Sequence, residues 1–216
     1  MDELTEALSD SVVVVREMTA NALGAVPSLK TDRALTIVVD DQDEGVRAQA
    51  MEALAGRSWP PAIESVGRHL RSETSSLVRA SALMMLGASG SRLAVRHATA
   101  AISDDEEHVR AAAASALGAL GYQRGLEPLL RAAVDSADGV RAAAVDGLGG
   151  LGNRAPVDRL ARTVRHDWSA NVRLKAVLAL GRIGHRSAEP SLIEAARDDP
   201  DDRVRRVAAL SLRHLR

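Results

Sequence analysis

The sequence predicts an all-α fold, an α-solenoid of about seven helix-turn-helix repeats filling residues 1–216 as a single domain. Three observations carry this expectation. The dipeptide Val-Arg recurs with its arginine at Arg16, Arg47, Arg79, Arg110, Arg141, Arg173 and Arg205, at intervals of 31 or 32 residues. Seven positions after each arginine stands a leucine: Leu23, Leu54, Leu86, Leu117, Leu148, Leu180 and Leu212. Six positions before each stands an acid: Asp10, Asp41, Glu73, Asp104, Asp135, Asp167 and Asp199.

The valine one before the arginine, a small residue three after it and the leucine seven after it are four apart. That spacing lays them along one stripe of an α-helix, here termed helix B. Gly90, Gly121, Gly152 and Gly184, eleven after their arginines, stand where a left-handed residue ends a helix. Gly24, Gly87, Gly118, Gly149 and Gly181 lie three earlier, inside the helix, where each costs about 1 kcal/mol relative to alanine. A penalty met five times implies close approach of a neighbouring helix at those points. Upstream of helix B lies a second amphipathic segment, helix A, as in "GLEPLLRAAVDS" and "EPSLIEAARDDP". The repeats are expected at about 1–26, 27–57, 58–90, 91–121, 122–152, 153–184 and 185–216. "SVVVVREM" (11–18) has strand propensity, yet its register places it at the start of the first helix B. The second repeat departs from the pattern with Ala55 at the inner glycine position, and the seventh ends "LRHLR" without glycine.

The acid and the arginine flank the turn before helix B and can form a ladder of charge-assisted hydrogen bonds, within a repeat or across to the next. Removal of Arg110 is expected to leave Asp104 uncompensated. The unit resembles the HEAT-like repeat, in particular the short form named after phycobilin lyase subunits. The family's acid-arginine ladder and "VRxxAxxALGxxG" helix B are matched by Asp104, Val109, Arg110, Ala113, Ala116, Leu117, Gly118 and Gly121. The resemblance covers essentially the whole chain and implies stacked helix pairs.

Composition agrees with a globular chain: 46% apolar and 26% charged residues exclude a disordered polymer. The absence of cysteine excludes disulfides and thiolate metal sites, and no apolar run approaches membrane-spanning length. The acidic start "MDELTEALSD" is unlike a secretory signal, so a cytoplasmic location is expected. Charge is polarised: residues 1–52 carry a balance of −7 and residues 154–216 one of +6. Complementary fields of this kind favour docking by one end, or head-to-tail self-association.

No catalytic constellation emerges. The six histidines are scattered without a metal-ligand pair, and the histidine-glutamate dipeptides that hold iron in deoxyhypusine hydroxylase do not occur. No cofactor or metal is expected. Helix B is expected to line the concave side and to offer Gln49, Glu52, Ser81, Met84, Ala112, Ser115, Asp146, Leu174, Lys175 and Leu178 to a partner. Few cations stand there, so nucleic acid is not the expected ligand. The sequence therefore favours a non-enzymatic scaffold that binds another protein or peptide segment. The family resemblance supplies the alternative, a bilin lyase or isomerase subunit, and more remotely a DNA-binding or repair role.

Overall fold

In the computed structural model residues 2–152 and 156–215 are described, and among them are fourteen α-helices and no strand. The helices pair into seven repeats, each a helix A followed by a helix B. The first four pairs are α1 (Asp2–Glu6) with α2 (Val13–Gly24), α3 (Leu29–Val38) with α4 (Glu44–Ala53), α5 (Pro60–His69) with α6 (Ser76–Ala88), and α7 (Ala94–Ala100) with α8 (Glu107–Leu120). The last three are α9 (Leu126–Ala132) with α10 (Asp138–Gly150), α11 (Val157–His166) with α12 (Ala170–Ile183), and α13 (Glu189–Asp198) with α14 (Asp202–Ser211). This is the α-solenoid that the period predicts. The expected boundary at residue 153 lies outside the described residues.

The chain divides into two compact units, Met1–Ala116 and Leu117–Arg216, with the division inside α8. In the first unit α2 packs on α4 and α4 on α6, while α3 packs on α5 and α5 on α7. In the second unit α10, α12 and α14 form one layer, and α11 packs on α13 in the other. Within each unit, helices A and helices B thus make separate layers with a shared core. The helix B stripe supplies that core: Val46, Ala50 and Leu54, and likewise Val172, Ala176 and Leu180, are fully buried. "SVVVVREM" is helical from Val13, so tertiary register overrides the β-propensity of its valines.

Both sets of glycines have a structural reason. Gly90, Gly121, Gly152 and Gly184 have φ between 62° and 68°, the left-handed region that ends each helix. The inner glycines sit where the next helix B touches. A Cβ on Gly87 would come within 2.9 Å of the Ala116 Cα, one on Gly118 within 2.4 Å of the Gly147 Cα, and one on Gly149 within 2.8 Å of the Ala179 Cβ. The residue opposite is always six after its own arginine and always small: Ala53, Ala116, Gly147, Ala179 or Ser211.

The second repeat breaks this rule consistently. It has Ala55 instead of the inner glycine, and the third repeat has buried Met85 at the position that is small elsewhere. Helix α4 stops early at Ala53, and Gly56, at φ 77°, provides the left-handed residue two places sooner than the pattern puts it. Arg57 follows and donates to the Leu23 and Gly24 carbonyls at 3.2 and 2.9 Å, capping the end of α2, and pairs with Asp32.

Candidate functional site

The repeated arginine is held twice. Its Nη1 donates to the carbonyl of the acid six residues earlier, as from Arg47 to Asp41 at 2.8 Å, Arg110 to Asp104 at 2.9 Å and Arg173 to Asp167 at 2.9 Å. Its Nε and Nη2 form a bidentate pair with the carboxylate of the following repeat. Arg16 meets Asp41 at 2.8 Å through both atoms, Arg47 meets Glu73 at 2.7 and 3.0 Å, and Arg79 meets Asp104 at 2.8 Å through both. Arg141 meets Asp167 at 2.9 and 3.0 Å, and Arg173 meets Asp199 at 2.8 and 2.9 Å. Each acid also accepts the amide two residues on, as Asp10 does from Val12 at 2.8 Å and Asp135 from Ala137 at 2.9 Å, which shapes the turn into helix B. The expectation about Arg110 is thereby corrected. The Asp104 carboxylate belongs to Arg79, so loss of Arg110 does not orphan it.

The bidentate geometry controls ionisation. The Arg16 guanidinium holds the Asp41 carboxyl below the usual range. Burial pushes the Glu73 carboxyl up, but Arg47, the Ser75 amide and His69 together outweigh it and bring it down to about 2. Burial likewise raises the Asp104 carboxyl, and Arg79, the Glu106 amide and His108 together bring it below the usual range. At the other end of the ladder Arg205 donates to the Asp199 and Pro200 carbonyls and meets Asp202 at 3.3 Å.

His97 is a buried titratable side chain at a position that is apolar in other helices A. It is 4% exposed on α7, where the equivalent residues Val66 and Leu192 are fully buried hydrophobics. Gly67 makes room for it, since a Cβ there would lie 2.4 Å from the ring. Burial lowers its pKa, Arg96 adds to this, and the Glu64 carboxylate at 3.6 Å opposes it only in part. A depressed folded pKa means that the unfolded chain binds the proton more tightly. Stability from His97 is therefore complete above its ordinary value of about 6.5 and is lost as pH falls below it. The Asp41, Glu73 and Asp104 carboxylates, held below their usual range, lose theirs in a second step, below about 4. We expect urea midpoints measured from pH 8 to pH 5 to fall in the native chain and to fall less in His97→Gln; parallel curves would refute the assignment.

The residues expected to face a partner fall into three groups. Glu52, Met84, Ser115 and Leu178 are exposed, with Met84 at 63%. Gln49, Ala112, Asp146, Leu174 and Lys175 are half-buried. Ser81 is corrected: it is buried beneath its neighbours and cannot reach a partner. Asp146 and Lys175 lie 3.6 Å apart, and Arg182 donates to the Asp146 carboxylate at 2.6 Å, so this trio already ties α10 to α12. In the second unit Leu178, Ile183, Val207 and Leu210 line an apolar cleft of about 830 Å³ between the ends of α12 and α14, with His185 and His214 on its rim. Sequence reasoning did not find Trp168, 74% exposed, whose ring lies 3.7 Å from the Arg141 guanidinium carbon. Among the described residues no group of histidines and acids could hold a metal ion, and no helix is long and apolar enough to cross a membrane.

The sequence model of the family described as HEAT repeats matches residues 63–145 and 127–213, well over half of the chain. The chain belongs to the HEAT-repeat family. No curated protein matches this HEAT-repeat sequence. Its fold is similar to that in the complex of CpcE and CpcF of phycocyanin lyase from Nostoc sp. PCC7120, with a TM-score of 0.64 at 19% identity over 98% of this chain and 86% of that one. It is also similar to YibA of E. coli, with a TM-score of 0.57 at 17% identity over 98% and 92%. An engineered protein gives 0.58 at 17% identity over 99% of this chain and 67% of its own. At these identities the likeness is one of fold.

Proposed function

We propose that this HEAT-repeat protein is a non-enzymatic scaffold of the cytoplasm that captures another protein, or an extended or helical segment of one, on its helix B face. The observation that carries the reading is the row five residues after the arginine. There Met84 in the first unit and Leu178 and Leu210 in the second are exposed apolar side chains, and the latter two line the 830 Å³ cleft. Glu52 and Ser115 belong to the same row, Leu174 and Lys175 flank it, and the charged Glu52 and Lys175 would set the register of the bound segment.

Affinity capture from the native host tests the assignment. Met84→Asp and Leu178→Asp are expected to lose proteins that the native chain retains, with unchanged helical circular dichroism. Unchanged capture by both would sink the assigned face. The alternative drawn from the phycocyanin lyase likeness, attachment or removal of a bilin, rests on fold. Mixing the purified chain with bilin is expected to leave its absorbance unchanged, and a shift would overturn the non-enzymatic reading.

A further inference from the structure

We propose that the cleft between α5 and α7 in the first unit binds a small organic oxyanion, a carboxylate or a phosphate ester, through His97 and Arg71. This site is separate from the helix B face. The cleft measures about 670 Å³, room for a metabolite of modest size. Gly67 and Arg71 line it beside the end of α5, Arg96 and His97 line it from α7, and Ser103 lines it from the turn after α7. One wall departs from the repeat on both helices at once. Twelve residues before the arginine the second and fifth repeats have Leu35 and Leu129, both fully buried, whereas the third has Gly67. The space goes to the His97 ring, whose carbons lie 2.4 Å from where a Gly67 Cβ would stand. A glycine inside a helix and an imidazole where other repeats have valine or leucine both weaken a core. Packing alone requires neither.

What the exchange supplies is a fixed donor. Arg96 Nε donates to His97 Nε2 at 3.3 Å, so the neutral ring carries its proton on Nδ1. No described residue accepts that proton, although the side chain is almost wholly buried and borders the cleft. A polar group buried to this degree is ordinarily hydrogen-bonded, and the acceptor here has to enter through the cleft. Arg71 sets its sign. This side chain is exposed, pairs with no carboxylate among the described residues, and stands near enough to the ring to oppose its protonation, after burial and Arg96. Two carboxylates of the cleft are committed elsewhere, Glu73 to Arg47 and His69 and Asp104 to Arg79, and Asp105 is exposed on the turn. A free guanidinium together with a fixed N–H is a donor set that grips the oxygens of a carboxylate or a phosphate.

Nuclear magnetic resonance of the full chain, labelled with nitrogen-15 in histidine, tests this. Inorganic phosphate and citrate are added in separate titrations at a constant ionic strength of about 0.15 M. The His97 Nδ1 signal is expected to move along a saturating curve with at least one of them, with a midpoint on the order of 1 mM, while exposed His108 and His166 drift without saturating. Which anion saturates tells a phosphate site from a carboxylate site. Arg71→Gln, at an exposed side chain without a partner, is expected to keep native circular dichroism and to raise the midpoint about tenfold. His97→Val, which copies the buried Val66 of the preceding repeat, is expected to lose the rise in melting temperature that the saturating anion gives the native chain. A His97 signal that saturates with neither anion would overturn the site, and so would an unchanged midpoint in Arg71→Gln. Neither result touches the helix B reading, which is tested at Met84 and Leu178.

Discussion

Arg141→Ala is expected to lower stability by about 3–5 kcal/mol, the range for breaking a buried, fully hydrogen-bonded ion pair from one side. The Arg141 side chain is 2% exposed and that of Asp167 8%, so the abandoned carboxylate has little access to water. The substitution also removes the donor to the Asp135 and Ser136 carbonyls at 3.0 and 3.1 Å, and the cation beneath the Trp168 ring. Arg205→Ala provides the comparison. That side chain is 37% exposed and its only carboxylate partner among the described residues is Asp202, so a change of about 1 kcal/mol or less is expected. Urea unfolding followed by circular dichroism separates the two. Equal effects would mean that the cross-repeat pair contributes nothing beyond the bonds within the turn.

Gly118→Ala is expected to destabilise by about 1–3 kcal/mol although alanine is the better helix former by about 1 kcal/mol. The reason is the 2.4 Å separation between the added Cβ and the Gly147 Cα, a backbone atom that can yield only if α8 and α10 move apart. Gly139→Ala is the control. It lies in the first turn of α10 with nothing within 4 Å of the point an added methyl would occupy, and it is expected to be neutral or to stabilise by about 0.4–1 kcal/mol. Thermal melts of the two variants should therefore shift in opposite directions or differ clearly in size. A Gly118→Ala chain as stable as Gly139→Ala would show that the helices relax at no penalty.

The fold was legible because its signal is repeated. A single Val-Arg dipeptide predicts nothing, whereas seven at nearly constant spacing place every helix B and explain why the valines at 13–15 are helical. The direction of the ladder was not legible. An acid six residues before an arginine is compatible with a bond inside the repeat, and only the packing of successive turns shows that the carboxylate belongs to the preceding repeat's arginine. Residues that depart from the pattern were the least readable. Nothing in the sequence places His97 in the core, because its space comes from Gly67 on a different helix. Arg57 and Met85 likewise acquire meaning only at the junction where Ala55 replaces a glycine. On the helix B face, angular position alone puts Ser81 beside Met84, and the depth that separates them comes from the neighbouring helix.

The double attachment of the arginine has a consequence for how such a chain can change length. Every repeat brings one outgoing guanidinium and one incoming carboxylate, and these connect to whichever neighbour supplies the other half. A stretch of 31 or 32 residues copied in tandem, or deleted whole, therefore leaves the remaining rungs of the ladder in place, except that the second and third repeats are matched to each other through Ala55, Arg57 and Met85. Insertion of half a unit would instead part a guanidinium from its carboxylate at the seam. As far as the ladder is concerned, whole-period duplication is the tolerated route of growth.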